Sequence, residues 1–260
     1  MSGSPRRPAD LQVHCINLDR NPARLEQFYR VNPHLSRVTR FSAVDGRLVD
    51  LAALTRRGLA TADILQFQTP GGLGCSLSHA ALWEVAARGR EPLTICEDDA
   101  IFNAAFEQTA AAVIATLPGD WDLVSWGWNF DLFMCFEMLP GVSSSLCQFE
   151  QERLRRGAAV FQAQTVKPNA FKLLWAFGKP CYSVSPKGAA VLRDRLLPFR
   201  PATATCPEGV RAPPNAAHYR VLSVDGALNT IYREINAFVS FPPLVITKNE
   251  DTSIHAAQRS

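Results

Sequence analysis

The chain has 260 residues, of which 47% are hydrophobic and 20% charged, enough apolar material for one substantial core. Its 27 basic and 24 acidic residues leave a net charge of +3, too mild for a nucleic-acid-binding surface. No apolar run reaches transmembrane length, and the opening "MSGSPRRPADLQVHCINL" has no signal-peptide core, so a cytoplasmic setting is expected.

Residues 1–10 are expected to be disordered. The first predicted element, "LQVHCINL" (11–18), is apolar on both faces and reads as a buried strand. Asn21 follows as a helix N-cap with Pro22 at the first helical position, so strand, turn and helix open an α/β unit. "SRVTRFSAV" (36–44) predicts a second strand ending at Asp45-Gly46. "DLAALTRRG" (50–58) predicts a short helix with Asp50 as cap and Gly58 as stop. "TPGGLGCSLSHAALWEVAARG" (69–89) predicts a glycine-rich turn that leads into a helix. Cys75, Ser78, Leu82 and Val85 share one of its stripes; Ser76, His79 and Trp83 share another.

"PLTIC" is the next strand, and Asn103 is the expected cap of a helix carrying Phe106, Ala110, Val113 and Leu117 at helical spacing. "WDLVSWGWN" (121–129) predicts a further strand. From about 130 to 175 the periodicity is lost, and an irregular insertion is expected. Order returns at "KPCYSVSPKGAAVLRDRLLP" (179–198), a strand and then a helix capped by Ser185, with Ala189, Leu192 and Leu196 inward. A proline-rich loop (199–217) precedes a predicted helix over 223–236, with Val224, Leu228, Ile231 and Ile235 inside. A last strand, a double-proline turn and a flexible tail (255–260) complete a single domain spanning 1–260. The seven cysteines form no CxxC pair, and an odd number suits reduced, buried thiols.

The chemistry concentrates in "PLTICEDDAIF" (92–102), where Glu97, Asp98 and Asp99 stand in a row between apolar neighbours. Like charges so close repel, and each favours water. A compensating cation or a solvated edge is required. In an open α/β sheet ligands bind at the carboxyl ends of strands. Hard carboxylate oxygens there suit Mg2+ or Mn2+ bridging to substrate phosphates. A solvated strand-to-loop junction is the plain alternative.

Taken in order, "INLDRNPARLEQF", "RFSAVDG", "GGLGCSLSHAALW", "ICEDDAIF", "CYSVSPKGAAVL" and "FPPLV" resemble glycosyltransferase family 25. That family holds bacterial lipopolysaccharide and lipooligosaccharide galactosyltransferases and relatives that galactosylate collagen. The likeness runs over roughly residues 12–254, and "GxLGCxLSH" and "EDD" are its most specific blocks. It implies a GT-A-like fold, with a Rossmann-type nucleotide-sugar-binding sheet flanked by helices. It also implies a UDP-sugar donor (typically UDP-galactose), Mn2+ or Mg2+, and inverting transfer to a hydroxyl of a glycan or lipid-linked acceptor.

By the same resemblance Glu97 and Asp99 form the DxD pair, with Asp99 the direct metal ligand and Asp98 its substitute or neighbour. Asn17, Arg20 and Arg24 line the nucleotide side, and Asp45 faces the base or ribose. Ser76 and His79 stand near a helix N-terminus, which favours phosphate. Asp225 is the candidate base for the acceptor hydroxyl, ahead of Glu208, Glu250 and Asp251. His255 is the late histidine offered to the metal, ahead of His218.

Plainer duties stay open for these residues. Arg20 and Arg24 suit a solvated helix face, Asp45-Gly46 a turn, Asp225 an N-cap, and Trp126, Trp128 and Phe130 a core rather than a sugar platform. The segment 126–178 departs from the shorter bacterial members, so the acceptor does not carry over. The missing export signal argues against the collagen-modifying branch. An enzyme on lipid-linked glycans would touch the inner face of the membrane peripherally. A non-catalytic nucleotide- or glycan-binding relative and a nucleotide-sugar hydrolase share the same metal site and remain alternatives.

Overall fold

The computed structural model describes residues 11–207 and 218–249. Strand β1 (Val13–Asn17) leads through helix α1 (Pro22–Val31) to β2 (Val38–Ser42). Helices α2 (Leu51–Arg56) and α3 (Pro70–Arg88) then lead to β3 (Leu93–Glu97). β2 and β3 pair with opposite edges of β1, both parallel to it. The winding therefore reverses at β1, and a crevice opens beyond the carboxyl ends of β1 and β3.

The chain continues through β4 (Ala100–Phe102), α4 (Phe106–Thr116), β5 (Leu123–Ser125), β6 (Met134–Leu139) and β7 (Ser143–Cys147). Next come α5 (Gln151–Arg156), α6 (Ala158–Ala163), β8 (Asn169–Trp175), β9 (Cys181–Val184) and α7 (Pro186–Leu196). Last are β10 (Thr203–Thr205), β11 (His218–Arg220), α8 (Val224–Asn229), β12 (Ala237–Phe241) and β13 (Val245–Thr247). Nine strands form one mixed sheet in the order β2-β1-β3-β9-β5-β12-β8-β6-β7. This is the α/β architecture expected from the sequence and consistent with a GT-A-like fold.

Alternation along the strands splits the core between the two faces. Ile95, Leu123 and Tyr182 join Leu77, Trp83 and Leu192 on one face; Cys96, Val124 and Cys181 join Phe28 and Phe106 on the other. Cys15, Cys96 and Cys181 lie in register across β1, β3 and β9 as buried free thiols. Asn32, just past α1, fastens the second face. Its amide donates to Phe28 O and Ala100 O and accepts from the Phe102 N–H.

Several local expectations are corrected. The glycine-rich stretch is helical from Pro70, with the Thr69 side chain capping the Gly72 N–H. Its glycines serve backbone approach: a Cβ on Gly74 would lie 2.5 Å from Val44 O, and one on Gly72 would lie 2.4 Å from Leu222 O. Asn103 lies upstream of α4, whose cap position is Ala105; its amide nitrogen donates to Phe161 O and Gln164 O, and its oxygen accepts from the Ala105 N–H. The 130–175 segment is ordered as β6 through β8. Its β-hairpin and β8 extend the sheet, a pairing that depends on distant strands and leaves little local period. The predicted 223–236 helix stops at Asn229, whose side chain is drawn to the Ala176 N–H; the following turns still bury Ile231 and Ile235. Trp126, Trp128 and Phe130 are buried in the core.

Candidate functional site

The crevice at the carboxyl ends of β1 and β3 is a cleft open to solvent. It is lined by Ile16, Arg20, Arg24 and the Val44–Gly46 loop together with Cys75, Ser78, His79, Glu97 and Asp98. The loop is held by the Val44 N–H donating to Ser78 Oγ at 2.8 Å. Arg20 pairs with Asp45, which also accepts from Arg47. The Arg47 hydrogen bond is the chief reason the Asp45 carboxyl falls to about 2.

The three consecutive carboxylates point to three different partners. Asp98 is bound by protein donors: Asn17 Nδ2 reaches one oxygen at 2.7 Å, and Arg24 Nε the other at 2.8 Å. Asn17 is itself buried, and its carbonyl oxygen accepts from Arg40. Asp99 accepts from Thr247 Oγ1 at 3.0 Å through one oxygen, while the other is buried with no partner among the described residues. Burial, then the Glu97 charge, raises its pKa to about 7.

Glu97 turns toward α3, where its Oε1 lies 3.6 Å from His79 Nε2. Burial, then the charges of Asp98 and Asp225, push its pKa up to about 8. About a third of its side chain remains open, so water still screens part of that push. Among the described residues, Cys75, His79 and Glu97 are the group of three metal-capable side chains whose ligand atoms all lie within 4.8 Å of one another. His79 is fully buried, with Nδ1 3.0 Å from the Tyr182 hydroxyl, which also accepts from Trp83 Nε1 at 2.7 Å. Burial, then the Lys179 charge, holds the His79 pKa down at about 3.

Asp225 lies in the first turn of α8 and is not its cap residue. Its oxygens accept from the Gly178 N–H at 2.9 Å, the Gly226 N–H at 2.8 Å and the Ser223 hydroxyl. Its charge reaches Glu97, His79 and Lys179. Lys179 is buried above the Tyr232 ring; desolvation lowers its pKa to about 8 against the pull of Asp225 and Glu97.

The structure thus gathers Arg20, Arg24, Asp45, His79, Glu97 and Asp98 at one cleft, with Asn17 hydrogen-bonded to Asp98, Asp99 beside the cleft and Asp225 within electrostatic reach. Ser76 departs from this set. It is buried in the seventh position of α3, and its hydroxyl donates to Gly72 O. It is neither at a helix N-terminus nor on the cleft; His79, at the tenth position, lines the cleft but is likewise far from the helix N-terminus. His255, Glu208, Glu250 and Asp251 lie outside the described residues, while His218 sits on β11, bonded to Thr205. Cys75, Ser78 and Lys179 were not anticipated. Cys75 stands one helical turn before His79, a spacing visible in the sequence. Lys179 is buried against the ring of Tyr232, more than fifty residues along the chain, and that burial has no local signature.

A sequence model of "Glycosyltransferase family 25 (LPS biosynthesis protein)" matches residues 10–196. A "Glycosyltransferase 25 family member" of Aedes aegypti is 33% identical over 137 residues, 47% of this chain and 23% of the relative. The namesake in Drosophila melanogaster is 29% identical over 126 residues, 45% of this chain and 21% of the relative. The Homo sapiens "Inactive glycosyltransferase 25 family member 3" is 30% identical over 157 residues, 53% of this chain and 26% of the relative. The aligned portions thus span about a quarter of the length of these relatives. The family match takes in β1, α3 and β3, whose ends build the cleft, and it covers well over half the sequence: the chain belongs to glycosyltransferase family 25.

Proposed function

We propose that this chain transfers a hexose, galactose in the first instance, from a UDP-sugar to a hydroxyl of a glycan or lipid-linked acceptor, with inversion, in surface-glycan assembly. The supporting observation is the cleft at the switch point, lined by both Arg20 and Arg24 and the acidic end of β3. The family's divalent ion fits the donors present. Among the described residues, Asp99 has a buried oxygen without a partner and Glu97 accepts no hydrogen bond. Glu97 and Asp99 would hold Mn2+ or Mg2+, with Asp98 behind them, steadied by Asn17 and Arg24. When bound, the ion supplies Lewis-acid stabilisation of a diphosphate leaving group.

This chain's own residues carry the remaining steps. Arg20 offers charge to the donor's phosphates once it exchanges Asp45 for the ligand. Asp225 is the proposed base for the acceptor hydroxyl. Three donors fix its carboxylate in place: Oδ1 takes two of them, while Oδ2 takes only the Gly178 N–H and keeps a lone pair to spare. Among the described residues no helix is long and apolar enough to cross a membrane, which suits an enzyme that meets lipid-linked acceptors from the cytoplasmic face.

The test measures transfer from UDP-galactose, UDP-glucose and their N-acetyl forms to an acceptor panel, with Mn2+ and with EDTA. Asp99→Ala and Asp225→Asn are expected to lose transfer while remaining folded; full activity in either variant sinks its assignment. One observation favours a second reading, nucleotide binding without transfer: the human relative's name calls that protein inactive. Calorimetric UDP binding without product on any acceptor selects that reading. Donor consumed equally fast without acceptor selects hydrolysis.

A further inference from the structure

We infer that His79 is a positioning residue for Glu97: a buried relay from Trp83 through Tyr182 fixes its neutral ring with the proton on Nε2, aimed at the Glu97 carboxylate. The inference deepens the donor-site reading above and rests on it for its functional consequence, but the relay itself stands on hydrogen-bond counting.

An indole N–H only donates. Trp83 Nε1 therefore donates to the Tyr182 oxygen, at 2.7 Å. Tyr182 is fully buried, and its other partner among the described residues is His79 Nδ1 at 3.0 Å. Were Nδ1 the donor, the tyrosine O–H would be stranded without an acceptor in the core, a substantial penalty. The tyrosine proton therefore goes to Nδ1, and the neutral ring must carry its own proton on Nε2.

The far side of the ring agrees. His79 Nε2 is buried with no hydrogen-bond partner among the described residues, and Glu97 Oε1 lies 3.6 Å from it. An N–H on Nε2 suits this neighbour, because Glu97 presents an acceptor oxygen whether or not its carboxyl keeps its proton. At 3.6 Å the contact is not yet a hydrogen bond. A small rotation of Glu97 closes it, as often happens when a ligand fills a site. The same ring orientation argues against His79 as a ligand in a Cys75–His79–Glu97 metal centre, since a protonated Nε2 has no lone pair to give. Buried Lys179, whose charge reaches both His79 and Glu97, opposes a cation there as well. The consequence is directional: Glu97 Oε1 is committed to α3, leaving Oε2 for the cleft.

The experiment uses the full chain without nucleotide or metal. Nitrogen-15 NMR of the histidine rings, with His79 assigned by its loss in His79→Gln, reads the tautomer directly. The expected pattern is a protonated Nε2 and an acceptor-type Nδ1 that changes in Tyr182→Phe. A protonated Nδ1 overturns the relay, and so does a thiolate-to-metal absorption band on titration with Co2+ that vanishes in Cys75→Ser. A second arm measures UDP-galactose affinity and turnover. His79→Gln, which keeps one acceptor and one donor, is expected near wild type. His79→Leu is expected to lose about tenfold, the size of one charge-assisted hydrogen bond. Equal behaviour of the two variants overturns the positioning role, even if the tautomer is as stated. A chain inert toward every donor leaves the NMR arm to decide the relay, so failure of the transferase reading is told apart.

Discussion

Asp99 and Glu97 are costly residues to place where they are. A free carboxyl loses its proton near pH 4, but these two lose theirs at about 7 and about 8. Between those limits the folded chain holds protons that the unfolded chain has released, so their contribution to stability falls as pH rises from about 4 toward 8 and levels off beyond. Asp99→Asn and Glu97→Gln each remove part of that fall. Both variants are expected to match the wild type at pH 4 and to exceed it at pH 8.5. The gain should be on the order of 1 kcal/mol per carboxylate, discounted for the open third of Glu97. Urea unfolding across this range, with no divalent ion present, checks it. Parallel wild-type and variant curves would show that the two groups are not strained by burial. Residues retained at such a cost suit a site that a cation completes.

At the scale of elements, α3 and α1 show what decides the geometry of the cleft. α3 is buried along most of its length, and its glycines let other backbone segments press against it. Gly46 and Gly74 face each other: a Cβ on Gly74 would lie 2.6 Å from Gly46 N and 2.5 Å from Val44 O. Gly74→Ala gains helix propensity, roughly 1 kcal/mol, but must push the Val44–Gly46 wall outward, an overpacking cost of about 1–3 kcal/mol. A net loss of stability with weakened UDP binding is expected from thermal melts and calorimetry; an unchanged or raised melting point would show that the wall is soft. Asn32→Ala leaves the Phe102 N–H and Ala100 O unpaired in the core. About 2–4 kcal/mol of destabilisation is expected, at roughly 1–3 kcal/mol per orphaned group. A loss under 1 kcal/mol, measured by urea unfolding, would mean water replaces the amide.

These elements also mark what the sequence discloses. The caps at Asp50 and Ser185 and the apolar periods of α4 and α7 are local signals, and each appears where read. The glycine run misleads because its purpose, contact with Val44 and Leu222, lies far along the chain. The acidic row is legible as three charges at a strand end. The separate fates of those charges are not, because Arg24, Thr247 and His79 arrive from three different elements. Ser76 fails for a related reason: one residue around a helix exchanges the cleft for the interior.

For the whole molecule, the cleft is a seam. Its walls come from β1, the β2–α2 loop, α3 and β3, and β13 reaches the same point through Thr247 on Asp99. A ligand spanning that seam binds only the assembled fold and must therefore stabilise it globally. At a hundred times the dissociation constant the gain is about 2.7 kcal/mol. For a chain of this size that raises the melting temperature by roughly 5–10 °C. UDP-galactose with Mn2+ is expected to give this shift, and EDTA to shrink it to what nucleotide alone provides through Arg20 and the loop. Asp99→Asn should show the small shift with or without Mn2+, because its side chain no longer offers a charged oxygen to the ion. An equally large shift in EDTA would show that the donor binds without a divalent ion. The raised pKa values at Glu97 and Asp99 would then have to be balanced from within the protein, and Lys179, already buried within reach of Glu97, is the cation placed to do it.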